Sequence, residues 1–310
     1  MVGGYHFQRP RIDLRQLSNM RVLVVGGSGF IGHQVVNDLR SHGFTVMSMN
    51  RKIDNRNADY LCGDISTPST YIPHLKRWKP EIVIYAAWWI GNGSWRFSTS
   101  DSFYAESTIE FAENCFREGI RVFIGFGSGA EYGNSMVPCV AGSSPMNPDT
   151  YYGRTKIDTS EKILVLSQKY KVKFNWMRVF QAYGVKEPSS RLIPSAIENL
   201  RQGIPITLKQ PSLILDWITT RDIASATRFA IEHSLPNIID IGTGIGTPVL
   251  EVVKKIGIIL NVDQNLIEVI QNPEKLPVNA LVVGKSSPLL HLGWKPQDSL
   301  ESGLRWVIGA

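Results

Sequence analysis

The sequence predicts an α/β chain in which a doubly wound parallel sheet carries helices on both faces and a smaller α/β lobe follows towards the C-terminus. Three observations lead there. Short apolar runs alternate with stretches of helical periodicity from residue 21 to residue 127. The first run opens directly onto a glycine-rich turn and then a helical pattern. Beyond about residue 180 the pattern changes, with loops marked by Pro and Gly. A chain of 310 residues, 43% hydrophobic and 19% charged, can bury one large core with a smaller one beside it.

The elements follow in order. Residues 21–25, Arg-Val-Leu-Val-Val, read as a strand, and the turn GGSGFIG over 26–32 leads into an amphipathic helix over 33–39. Further strands are expected at 44–49, 82–86 and 122–126, each short and apolar, as strands covered on both faces are. A long helix over 152–170 precedes a strand at 174–179, which makes six or seven parallel strands plausible. Gly and Pro mark 183–190 as a loop, and a helix over 193–201 ends at Gly203 and Pro205. A second lobe begins there. The chain returns to the sheet at 238–241, then runs through a helix over 248–260 to an end containing Gly-Trp-Lys-Pro at 293–296. The expected division is 1–180 plus about 217–245 for the large domain, and about 181–216 plus 246–310 for the lobe.

Composition excludes several classes. The net charge of +6 is scattered, with no run of five or six cations, so no nucleic-acid partner is expected. It suits a small anionic substrate. No uninterrupted apolar stretch reaches membrane-spanning length and no leader pattern precedes Arg21, so the expectation is a cytoplasmic protein with no membrane partner. Cys62, Cys115 and Cys139 have no CxxC spacing, which points to buried thiols rather than disulfides or a metal site.

The turn carries the first chemistry. Gly26 permits a tight turn, Gly29 lets the backbone approach a pyrophosphate, and Gly32 lets the helix sit close to the strand with its N–H groups facing the anion. Tyr152 and Lys156, four residues apart on the helix that starts there, share one face. An ammonium beside a phenol favours the phenolate, which makes the tyrosine a proton donor and acceptor nearer neutrality. Ser128 ends the apolar run 122–126 on the side where doubly wound sheets bind ligands. Trp88, Trp89 and Trp95 follow the strand at 82–86 on that same side, where aromatic rings shape a pocket or pack in a core.

GGSGFIG, Ser128 with Tyr132 and Gly133 after it, and Tyr152 with Lys156 resemble the extended short-chain dehydrogenase/reductase family, in its nucleotide-sugar branch. Gly63-Asp64-Ile65, Tyr85-Ala86-Ala87, Met177 to Phe180 with Tyr183-Gly184, Arg191 to Pro194, Asp216-Trp217-Ile218 and Leu292 to Pro296 extend the likeness over nearly the whole chain. The resemblance implies a Rossmann domain and a homodimer. It implies that Tyr152 is the catalytic acid and base, that Lys156 tunes it and holds the nicotinamide ribose, and that Ser128 hydrogen-bonds the reacting oxygen. Gly26, Ser28, Gly29, Phe30, Ile31, Gly32, Asn50, Arg51, Ala86 and Ala87 would hold the cofactor with them, and Asp64 and Ile65 would flank its adenine; Asp64 reads equally as a turn residue. Trp88, Ser128, Gln181 and Arg191 would meet the substrate.

Departures from that pattern narrow the reaction. Where an Asp or Glu would take the ribose hydroxyls of NAD, the chain has Asn50-Arg51-Lys52, which favours NADP, with NAD as the alternative. Where nucleotide-sugar dehydratases carry an Asp-Glu pair, the chain has Gly129 and Ala130, and Glu131 stands one position late. Leu215 replaces an Arg that binds diphosphate, which leaves Arg191 or Lys275 for that task. The reading is an NADPH-dependent reductase of a nucleotide-activated 4-keto-6-deoxy sugar. The alternatives are a nucleotide-sugar 4-epimerase and a regulator that binds NADP without turning it over.

Overall fold

The computed structural model describes residues 20–52, 59–88, 100–135, 137–270, 281–286 and 288–310. Along the chain run β1 (Arg21–Val25), α1 (Gly32–Ser41), β2 (Thr45–Asn50), β3 (Tyr60–Cys62), α2 (Ile72–Trp78), β4 (Ile82–Tyr85), α3 (Ser100–Arg117), β5 (Val122–Ser128), β6 (Cys139–Val140), α4 (Tyr151–Tyr170) and β7 (Lys173–Val179). Then come β8 (Gln181–Tyr183), α5 (Leu192–Arg201), β9 (Ile206–Leu208), β10 (Ile214–Thr219), α6 (Thr220–Glu232), β11 (Ile238–Ile241), β12 (Gly246–Pro248), α7 (Val249–Leu260), β13 (Ile267–Val269), β14 (Leu281–Val282), β15 (Gly284–Ser286), α8 (Pro288–His291) and α9 (Leu300–Ile308).

Seven strands form one parallel sheet in the order β11-β7-β5-β4-β1-β2-β3. The chain enters at β1, walks to one edge through β2 and β3, then crosses back to β4 and walks to the other edge. That reversal leaves a crevice beyond the carboxyl ends of β1 and β4. Successive residues feed opposite faces: Val22, Val24, Ile82 and Ile84 join one core with Val35 and Leu39 of α1 and Ile223 of α6. Leu23, Val25, Val83 and Tyr85 join the other with Phe111 of α3 and Ile163 of α4. Burial on both faces is why these strands read as unbroken apolar runs rather than alternating ones.

The lobe has its own core, in which Ile193 and Leu200 of α5, Trp217 of β10, Val252 and Ile256 of α7, and Leu304 of α9 are buried. Its centre is β10, antiparallel to β12 and parallel to β14 and β8. Asp216, fully buried on β10, accepts from the Thr243 and Gly244 N–H groups at 2.7 and 2.9 Å and ties the loop after β11 to the lobe. Leu289 and Trp294, beyond residue 246, pack in the core shared by α1 and α6.

Candidate functional site

A cavity of about 460 Å³ occupies the crevice. Its first wall is the turn after β1. Gly26 stands at φ +78°, and a Cβ there would come within 2.9 Å of the Ala87 nitrogen on the neighbouring strand end. A Cβ on Gly32 would run into the Gly26 carbonyl, so the helix reaches the turn only because no side chain intervenes. No side chain caps the N-terminus of α1, whose N-cap residue is Ile31. The helix starts directly after the cavity-lining residues Ser28, Gly29, Phe30 and Ile31, which puts the positive end of its dipole beside the cavity. A pyrophosphate fits this cradle.

The second wall comes from the end of β2 and the turn after β3. Asn50 accepts the Ser28 N–H at 2.9 Å and donates to Ser48 Oγ at 2.9 Å, pinning the glycine turn to the strand. Arg51 is exposed and lines the cavity beside it. Asp64 and Ile65 line it too. Asp64 Oδ1 accepts the Ser66 N–H and hydroxyl at 2.9 and 2.8 Å, so the residue builds the turn as well as facing the cavity.

Across the cavity stand Ala86, Ala87 and Trp88 after β4, with Tyr152 and Lys156 from the first turns of α4. Thr150 caps that helix by accepting the Gly153 N–H at 3.1 Å. Lys156 is buried; its Nζ donates to the Phe126 carbonyl at 2.7 Å and lies 3.6 Å from the centre of the Trp88 ring. The Tyr152 ring centre is 5.7 Å from the same ammonium and 6.2 Å, edge on, from Trp88. A cation over an indole face is worth about 0.5–2 kcal/mol, so Trp88 helps hold Lys156 in place. Trp89, Trp95 and Lys275 lie outside the described residues.

Ser128 ends β5 with its Oγ accepting the Ala130 N–H at 3.2 Å, while Glu131 returns to accept the Ser128 N–H at 2.8 Å. This capping box points Glu131 inward. Its fully buried carboxylate also takes Trp176 Nε1 at 2.9 Å and Arg178 Nε at 2.6 Å, and Arg178 continues to Tyr132, whose hydroxyl donates to Asp240 at 2.8 Å. Burial pushes the Asp240 carboxyl up to about 6 and is opposed by Tyr132 and Arg178. The Glu131 carboxylate is thus spent beneath the sheet edge. Arg178 in β7, whose sequence is Lys-Phe-Asn-Trp-Met-Arg-Val, was the signal for this network, since a buried Arg must find partners.

Gly32, Ser128, Gln181 and Arg191 are not among the described residues that line the cavity. Gln181 lies in β8 opposite Trp217, and Arg191, at the N-cap of α5, pairs with Glu187. Tyr104, Lys186 and Pro188 line the cavity without having been singled out in the sequence. Their loop and helix-start positions carry no pattern that separates them from neighbours.

Known proteins resemble this chain in sequence and fold. A UDP-glucose 4-epimerase of Rhizobium leguminosarum bv. trifolii is 27% identical, over 92% of this chain and 95% of its own length. A dTDP-4-dehydro-6-deoxyglucose reductase of Escherichia coli is 22% identical over 65% of each chain. The crystal structure of a Thermotoga maritima UDP-glucose 4-epimerase with UDP-glucose superposes with a TM-score of 0.83 at 23% identity, covering 94% of this chain and 98% of that one. The sequence profile of the NAD dependent epimerase/dehydratase family matches residues 22–242, a span that takes in every wall of the cavity up to β11, and the chain belongs to that family.

Proposed function

We propose that the protein is an NADPH-dependent reductase of a nucleotide-activated 4-keto-6-deoxy sugar. The end of β2 carries this reading. Asn50 is engaged with Ser28 and Ser48, the residues flanking it in the chain are Met49 and Arg51 rather than Asp or Glu, and Arg51 faces the cavity. A carboxylate there would repel a 2′-phosphate, whereas a guanidinium grips one with a fork of N–H donors. A nicotinamide bound in the cavity supplies hydride. The chain's own groups do the rest. The Ser128 Oγ receives the Ala130 N–H on one lone pair, which leaves its proton to donate to the substrate's carbonyl oxygen. Tyr152 delivers the proton that turns this oxygen into a hydroxyl, and the buried Lys156 holds its ammonium beside the phenol. Gly129 and Ala130 offer no acid and base for eliminating water, and Glu131 is occupied elsewhere.

A 4-epimerase is the second reading, favoured by relatives that are UDP-glucose 4-epimerases over nearly their whole length. A homodimer belongs to either reading: Val165, 64% exposed, stands on α4, which packs beside α3. Stoichiometry decides between the two. Purified protein given NADPH and a panel of UDP-, dTDP- and GDP-linked 4-keto-6-deoxyhexoses should consume one NADPH per ketosugar reduced. Interconversion of two hydroxyl epimers without net loss of cofactor would replace the reductase with the epimerase.

A further inference from the structure

The loop between β8 and α5 holds an ion pair that the proposed reaction does not use. Glu187 Oε1 lies 3.0 Å from Arg191 Nε, with the side chains 3% and 27% exposed. The carboxylate is buried and the guanidinium half out. Glu187 Oε2 has no hydrogen-bond partner among the described residues. Arg191 approaches Glu187 through Nε, and its terminal nitrogens make no hydrogen bond among the described residues. Its guanidinium stands 5.9 Å from the ring of Phe30 in the glycine turn, and Lys186 and Pro188 beside it line the cavity. An open fork next to a phosphate-cradling turn fits one ligand chemistry, a diphosphate.

Two charges in this corner are coupled. Burial pushes the Glu187 carboxyl up to about 7, against the pull of Arg191 and of the Gly184 amide. From α6, the group packed on Gly184 is the uncharged Thr220 hydroxyl. From α1, His33 is acted on by Lys186, and Asp222, Asp298 and Arg221 act on the neighbouring Tyr183 phenol. Arg191 is therefore the charge that opposes the rise at Glu187. An anion on the far side of that guanidinium repels the carboxylate, by an amount on the order of a tenfold change in proton affinity. Loosening one arginine rotor costs less.

We propose that Glu187 and Arg191 form a proton-linked diphosphate receptor: the terminal nitrogens of Arg191 grip the anion while a proton from solvent settles on Glu187 Oε2 and cancels the buried charge. The proposal rests on the reading that the cavity takes a dinucleotide and a nucleotide sugar, either of which carries the diphosphate.

Calorimetric titration in two buffers of different ionisation enthalpy tests it, with NAD⁺ in one arm and UDP-glucose or dTDP-glucose in the other. These are diphosphate diesters and lack the ionisation near about pH 6 that a phosphomonoester has. At about pH 7.5 the wild type should take up about half a proton per ligand bound, and its affinity should rise as pH falls towards about 6. The arm with proton uptake identifies the source of the diphosphate. Glu187→Gln should bind with no uptake and little pH dependence, and more tightly than wild type at about pH 8 by several-fold. Arg191→Gln should weaken the same ligand. Wild-type binding without proton uptake, or undiminished uptake in Glu187→Gln, overturns the receptor and leaves the proposed function standing. Failure of both ligands to bind overturns the receptor; the proposed function is tested apart from it, by NADPH consumption with a ketosugar.

Discussion

Asn50 ends β2 with both polar ends of its side chain occupied, one by the Ser28 N–H and one by Ser48 Oγ. On the proposed reading, recognition of a 2′-phosphate falls to Arg51. Arg51→Ala should lower NADPH affinity by about 1–3 kcal/mol, the worth of charge-assisted hydrogen bonds to a phosphate, and leave NADH affinity nearly unchanged. Fluorescence titration with both cofactors checks it, and equal losses would assign Arg51 to something other than the 2′-phosphate. At this scale the sequence was legible wherever chemistry imposes spacing: Tyr152 and Lys156 meet because four residues make one turn, and both line the cavity. It was less legible where one side chain serves two ends, as Asp64 does. Asp240 could not be foreseen, because its partner Tyr132 lies 108 residues away in the chain.

Among the elements, the strand–turn–helix from β1 to α1 shows why a local pattern can be decisive. Gly32 opens α1 against the Gly26 carbonyl, and a Cβ there would also come within 2.9 Å of Gly27 Cα. Backbone cannot rotate aside as a side chain can. Gly32→Ala should therefore displace the turn, cost about 1–3 kcal/mol as overpacking does, and lower dinucleotide affinity by more than it lowers stability. Calorimetry alongside thermal melting separates the two effects; unchanged affinity would mean that the cradle tolerates the shift. The apolar strands of the main sheet were equally legible because both of their faces are buried. β3 and the three-residue strands β8, β9, β12, β13 and β15 were not, since three residues show no period and their pairing comes from distant partners such as Trp217 for Gln181.

Across the whole molecule, the parallel sheet sends the ends of β1, β2, β4 and β5 to one edge, and several acids elsewhere in the chain are buried. Burial pushes Glu187 up to about 7 and Asp240 up to about 6, and it raises Asp216 and Asp222 as well. A carboxyl whose folded pKa is raised gives the folded chain more protons than the unfolded one between about pH 4 and the folded value. Its contribution to stability is present at low pH and is lost as pH rises through that value. His33, lowered by burial, works in the opposite sense, because the unfolded chain takes up its proton first as pH falls. Lys173, lowered to about 8, is protonated in both states below that pH and adds no slope there. Two displaced carboxyls outweigh one histidine, so stability at about pH 5.5 should exceed that at about pH 7.5 by on the order of 2 kcal/mol. For a chain of this size that is a rise of a few degrees in melting temperature. Asp240→Asn, which places a neutral group against Tyr132 and Arg178, should flatten the lower part of this dependence and leave the part belonging to Glu187. Melting temperatures measured across the interval in wild type and variant decide the matter: a wild type that loses stability on acidification, or a variant with the same slope, would remove the buried carboxyls as its cause.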